Sequence, residues 1–80
     1  MDRDQITKKL EEVILEEMPE IENVDFNASI VNQYGINSVS IIRIIVATEK
    51  RFDVEFNDYE LDLSAYDTFA DLVATVSEKI

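Results

Sequence analysis

From Gly35 to Phe52 the chain reads Gly35-Ile36-Asn37-Ser38-Val39-Ser40-Ile41-Ile42-Arg43-Ile44-Ile45-Val46-Ala47-Thr48-Glu49-Lys50-Arg51-Phe52. Gly35 is the only glycine in the sequence, and it stands where a sharp turn into a helix needs a residue free to take positive φ. Asn37 is placed to cap that helix. At about 100° per residue, Ile41, Ile44, Ile45, Thr48 and Phe52 fall on one side, the expected core face. Val39, Ile42 and Val46 form a second apolar strip beside it, flanked by Arg43, Ala47 and Lys50. A helix in a tight bundle can be buried on both sides. Where few other helices are available to cover it, an exposed apolar strip rimmed by charge reads instead as a docking surface.

Two further amphipathic helices frame this one. Ile6, Leu10, Val13 and Ile14 share a stripe within Asp2 to Glu17, and Asp2 with Gln5 three residues later predicts a capping box. Pro19 disfavours helical geometry at Met18 and ends the segment there. At the other end Phe69, Leu72, Val73, Val76 and Ile80 share a face, with Thr68 and Asp71 as the start signal. Asn57 followed by Glu60 predicts a short helix through Leu63, and Asp53 to Asn57 a connection. Met18 to Asn37 is longer than the roughly 12 to 15 residues of an unstructured loop. Ile21, Val24, Phe26, Ile30, Val31 and Tyr34 are its expected anchors over the core, with one helical turn near Ser29 to Gln33. The elements together predict an all-α fold, a small four-helix bundle of three main helices plus one short helix, with a long loop between the first two. One domain over residues 1–80 is expected.

Composition narrows the function. The 80 residues include 18 acidic and 7 basic side chains, a net charge of -11, with 46% hydrophobic residues. Nucleic acid and anionic membrane surfaces are poor partners for such a chain. It is too apolar for a disordered acidic tail, and no apolar run approaches the roughly 18 residues of a membrane span. With no Cys and no His, thiol nucleophiles, the commonest general base and most transition-metal ligands are missing, and a self-contained hydrolase or redox enzyme is not expected. No metal site is expected either: the acidic stretch Asp53 to Asp67 lacks the ligand spacing and central glycine of a calcium loop. No apolar stretch at Met1 to Leu10 resembles a signal peptide, so a cytoplasmic location is expected; a monomer is expected as well.

Ser38 carries two readings. At the first turn of a helix, unpaired N–H groups and the dipole favour a negative group, so a phosphodiester on its hydroxyl would be stabilised. A serine at a helix start is also, in most cases, simply a cap. Periodicity does not choose between them.

The run Tyr34-Gly35-Ile36-Asn37-Ser38-Val39 resembles the attachment motif of acyl carrier proteins, Leu-Gly-x-Asp-Ser-Leu, which opens that family's second helix. Ile30 and Tyr34 upstream, Glu49, Phe52, Val54 and Phe56 downstream, and the segment Thr68 to Ile80 extend the likeness over nearly the whole chain. The resemblance implies that Ser38, set by Gly35 and Asn37, receives 4′-phosphopantetheine from coenzyme A through a phosphopantetheinyl transferase. It implies a non-catalytic carrier that holds an acyl intermediate as a thioester and presents it to acyl-activating and acyl-transferring enzymes. Val39, Ile42 and Val46 then correspond to partner-binding residues, with Arg43 and Lys50 beside them, and Ile41, Ile44, Ile45 and Phe52 line the bundle interior where family members shelter an acyl chain.

Asn37 in place of Asp and Val39 in place of Leu depart slightly from the motif, and Asn at this position also resembles aminoacyl and peptidyl carriers of nonribosomal-peptide-type pathways. An unmodified carrier-like interaction module is a further alternative. A larger departure is charge: Arg43, Lys50 and Arg51 against Glu49 make Ser38 to Phe52 basic, where the family's second helix is acidic. Partners that dock through basic patches are therefore not the expected ones.

Overall fold

The computed structural model describes residues 2–80. Helix α1 spans Arg3–Glu17, α2 Ile30–Tyr34, α3 Ser38–Phe52 and α4 Phe69–Lys79, with 3₁₀ turns at Asp58–Leu61 and Leu63–Ala65 between the last two helices. Among the described residues there is no strand; the only extended pairing is an isolated bridge between Ser29 and Thr68. Among the described residues no helix is long and apolar enough to cross a membrane.

The long helices begin where their capping residues stand. Gln5 N–H donates to Asp2 Oδ1 at 2.9 Å, and Asp2 N–H to Gln5 Oε1 at 3.0 Å, which closes the box at the start of α1. Asp71 Oδ2 accepts from Thr68 N–H at 3.2 Å at the start of α4. Each helix presents its predicted stripe to a single core: Ile6, Leu10, Val13 and Ile14 of α1; Ile41, Ile44, Ile45 and Phe52 of α3; Phe69, Leu72, Val73 and Val76 of α4. Thr48, buried on the same face of α3, donates from Oγ1 to the Ile44 carbonyl at 2.7 Å, so its burial leaves no unmet hydrogen bond. Lys9 Nζ lies 5.3 Å from the Phe52 ring centroid, whereas Glu17 shares a groove with Arg43. Helices α1 and α3 therefore run antiparallel.

The long loop is held by aromatic contacts and by the start of α4. Phe26 and Tyr34 meet the Phe69 ring at centroid distances of 6.1 Å and 5.7 Å. Tyr34 Oη accepts from Asp25 N–H at 2.6 Å, Ala70 N–H donates to the Phe26 carbonyl at 3.0 Å, and Ile30 N–H to the Asp67 carbonyl at 3.0 Å.

Three expectations need correction. The short helix through Leu63 is two 3₁₀ turns, because Asp62 breaks the segment: its carboxylate accepts from Ser64 N–H at 3.0 Å and starts a second turn. Ile80 does not join the core face of the last helix; it lies past the end of α4 and is 52% exposed. Val31 is not an anchor either, since it points outward from α2 and is 47% exposed while its neighbour Ile30 is fully buried.

Candidate functional site

Helix α2 hands the chain to α3 through three residues. Gly35 ends α2 at φ 64 and ψ 26, the left-handed region that side chains resist, as its position in the sequence predicts. Its N–H donates to the Val31 carbonyl at 2.9 Å, and the Ile36 N–H to the Ile30 carbonyl at 3.3 Å. Ile36 then turns inward, 2% exposed, and fixes the junction against the core. Asn37 follows in extended geometry as the N-cap of α3.

The cap removes one of the two readings of Ser38, that of a simple cap. Asn37 Oδ1 accepts from Val39 N–H at 3.0 Å and from Ser40 N–H at 2.9 Å. Asn37 is therefore the cap, and Ser38 is the first helical residue, exposed, with no hydrogen bond from its hydroxyl among the described residues. The expectation of several unpaired N–H groups is corrected by the same bonds, since two of them are already satisfied. An anion on Ser38 Oγ would draw on the positive end of the α3 dipole and on Ser38's own N–H. The residues present fit a bulky phosphodiester: the hydroxyl is free, it faces solvent, and no acidic residue stands in the first turn of α3.

From Ser38 an apolar strip runs down the outer face of α3. Val39 is 69% exposed, Ile42 42% and Val46 39%, while Ile41, Ile44 and Ile45 on the opposite side are fully buried. The two faces read from the helical wheel are thus one core face and one open face. Beside the strip Ile42, Arg43, Val46, Ala47 and Lys50 line a shallow groove whose far wall is Glu17 at the end of α1.

The charges on α3 divide in a way the sequence could not display. Arg51 is drawn to α1, its Nη2 2.8 Å from Glu16 and its Nη1 3.4 Å from Glu12. It complements two carboxylates near the negative end of a helix whose last turn has no basic residue. Glu49 turns under the helix, where its Oε2 accepts from Phe56 N–H at 2.8 Å. Arg43 and Lys50 form no ion pair among the described residues.

All eight residues singled out in the sequence lie on or next to α3: Gly35, Asn37 and Ser38 at its start, and Val39, Ile42, Arg43, Val46 and Lys50 along its outer face. Glu17 and Ala47 also line the groove. Glu17 could not be assigned from sequence, because only the antiparallel packing of α1 on α3 brings it there.

A family model for the phosphopantetheine attachment site matches residues 5–76. Neither the comparison with curated proteins nor that with solved structures gives a match. The matched span runs from the first turns of α1 into the last turns of α4 and includes the whole of α3. The resemblance to acyl carrier proteins is borne out at this level: the chain belongs to the phosphopantetheine attachment site family, whose members carry 4′-phosphopantetheine on a serine.

Proposed function

We propose that this chain is an acyl carrier protein in which Ser38 bears the 4′-phosphopantetheine group and an acyl intermediate rides on the group's thiol as a thioester. The observation that carries the reading is the Ser38 hydroxyl: exposed, without a hydrogen-bond partner among the described residues, at the first position of α3 and freed from capping by Asn37. The other serines differ. Ser29 caps α2, accepting from Asn32 N–H at 3.2 Å, and Ser40, Ser64 and Ser77 do not start a helix after a left-handed turn.

The group supplies the thiol on which thioester chemistry takes place. The chain itself supplies presentation: Gly35 and Ile36 fix the direction in which α3 begins, and Val39, Ile42 and Val46 offer apolar contact area next to the attachment point. A phosphopantetheinyl transferase and then acyl-activating and acyl-transferring enzymes are the partners of this reading, and catalysis belongs to them.

Asn37 stands where acyl carriers of the resembling motif have Asp, and this favours one second reading, an aminoacyl or peptidyl carrier. Hydroxylamine treatment of protein from its native host separates the two. Release of the hydroxamate of a carboxylic acid without an α-amino group supports the acyl reading, and release of the hydroxamate of an amino acid or peptide overturns it.

A further inference from the structure

Four charged residues lie within the last ten positions of α3, and the fold sorts them. Arg51 is held by Glu12 and Glu16, and Glu49 by the Phe56 amide. What remains for a visitor is Arg43 and Lys50. They are two turns apart on one face of α3, about 10.5 Å along the axis at about 1.5 Å rise per residue. Both line the groove with Ile42, Val46 and Ala47. Glu17 lines it too, and Glu20 joins Glu17 beside Arg43 in the adjoining cavity, but neither carboxylate forms an ion pair with Arg43 or Lys50 among the described residues, so both cations are left without a partner. Two unpaired cations along an apolar groove stand out on a protein of net charge -11.

We propose that this groove is the docking site for an apolar, acid-bearing segment of a partner enzyme, its carboxylates spaced to meet Arg43 and Lys50. The inference rests on the carrier reading for the partner's being an enzyme, and on charge complementarity for its chemistry. Val46 and Ile42 supply area to an apolar ridge. Arg43 offers a planar fork suited to one carboxylate, and Lys50 a point charge for another. A basic docking segment, attracted by the rest of the surface, meets like charge here, so the pair selects partners as well as holding them.

The test uses two synthetic helical peptides, identical along a leucine face and differing only in whether glutamates or lysines occupy two positions two turns apart beside it. Each is titrated into ¹⁵N-labelled protein at about 0.15 M salt, where the screening length is roughly 8 Å and the distant acidic surface contributes little. The Glu peptide is expected to shift the amides of Ile42, Arg43, Val46, Ala47 and Lys50, and to bind there about three- to tenfold more tightly than the Lys peptide, from up to about fivefold per exposed pair. Arg43→Glu with Lys50→Glu should reverse the order. Arg43→Gln with Lys50→Gln should abolish the preference, and a well-dispersed spectrum of each variant shows that it is folded. Equal binding of both peptides, binding of the Glu peptide elsewhere, or no shift with either overturns the proposal. Loading of the wild-type chain from coenzyme A by a transferase is measured by mass in parallel. Uptake of the arm without peptide preference rejects the groove alone, and preference without uptake rejects the carrier reading alone.

Discussion

Asn37 Oδ1 reaches past Ser38 and Val39 to take the Ser40 N–H at 2.9 Å, so Ser38 begins α3 without having to hold it. Capping therefore rests on Asn37 and leaves the Ser38 hydroxyl without a structural hydrogen bond. Asn37→Ala should cost about 1 kcal/mol, the usual loss for a missing N-cap. Ser38→Ala, which removes no hydrogen bond within the protein, should stay within about 0.5 kcal/mol of the parent. Urea denaturation of both variants checks this, and a larger loss from Ser38→Ala than from Asn37→Ala would contradict the division of roles.

At Gly35 the backbone is left-handed, yet a Cβ there would meet nothing within 4 Å. Substitution therefore strains the backbone without a clash. Gly35→Ala should destabilise by about 1 kcal/mol. Unfolding midpoints measure the cost, and an unchanged midpoint would mean that the turn relaxes freely.

Asp53 is the only non-glycine residue with positive φ among the described residues, at φ 56 and ψ 51, and it ends α3. Its carboxylate also sits at the negative end of the helix dipole. Asp53→Gly relieves both and should stabilise the protein by about 0.5 to 1.5 kcal/mol. The check is the melting temperature, which should rise; a fall would show that the carboxylate has a role its geometry does not reveal.

Glu60 ties the turn before α4 to the end of the chain. Its Oε1 lies 2.8 Å from Lys79 Nζ and accepts from Asn57 N–H at 2.8 Å, and these bonds, the one from Lys79 first, lower its carboxyl from the ordinary value. A depressed carboxyl adds stability above its unfolded pKa of about 4.3, and that stability is lost as pH falls through the lower folded value. Glu60→Gln should therefore be less stable than the parent at pH 7, with the gap closing in acid. The opposite shift occurs at Tyr66, whose hydroxyl donates to the Glu60 carbonyl at 2.6 Å. Burial, then the charge of Glu60, pushes its pKa up to about 12. Its contribution is complete below the unfolded value of about 10 and disappears as pH rises toward about 12. Tyr66→Phe should cost about 1 kcal/mol at neutral pH and flatten the alkaline loss. Melting curves across pH decide both halves, and parallel profiles for parent and variants would contradict the assignments.

Sequence made the helices legible because their signals are local. Asp2 with Gln5, Thr68 with Asp71, and Asn37 after Gly35 each lie within one turn of the boundary they set, and the 3.6-residue stripe named the core face of α3 correctly. The loop from Met18 was legible only as something anchored, since Phe26 and Tyr34 are ordered by Phe69, more than thirty positions away in the chain. Asn57 and Glu60 marked a turn, but the second Asx cap at Asp62 competed with continuing the helix. Charge was the least legible feature. Counting along α3 gives three cations and one acid, whereas packing against α1 withdraws Arg51 and leaves Arg43 and Lys50 facing outward.

The central claim is that Ser38 alone bears the arm. Between Lys9 and Arg43 the chain has no other Lys or Arg, so trypsin releases residues 10–43 as one fragment that holds Ser29, Ser38 and Ser40 together. Tandem mass spectrometry of that fragment, after incubation of the folded protein with coenzyme A and a phosphopantetheinyl transferase, is the direct measurement. The account predicts one 4′-phosphopantetheine, located on Ser38, and no mass gain in the Ser38→Ala protein. An arm on Ser29 or Ser40, or a modified Ser38→Ala protein, would contradict it.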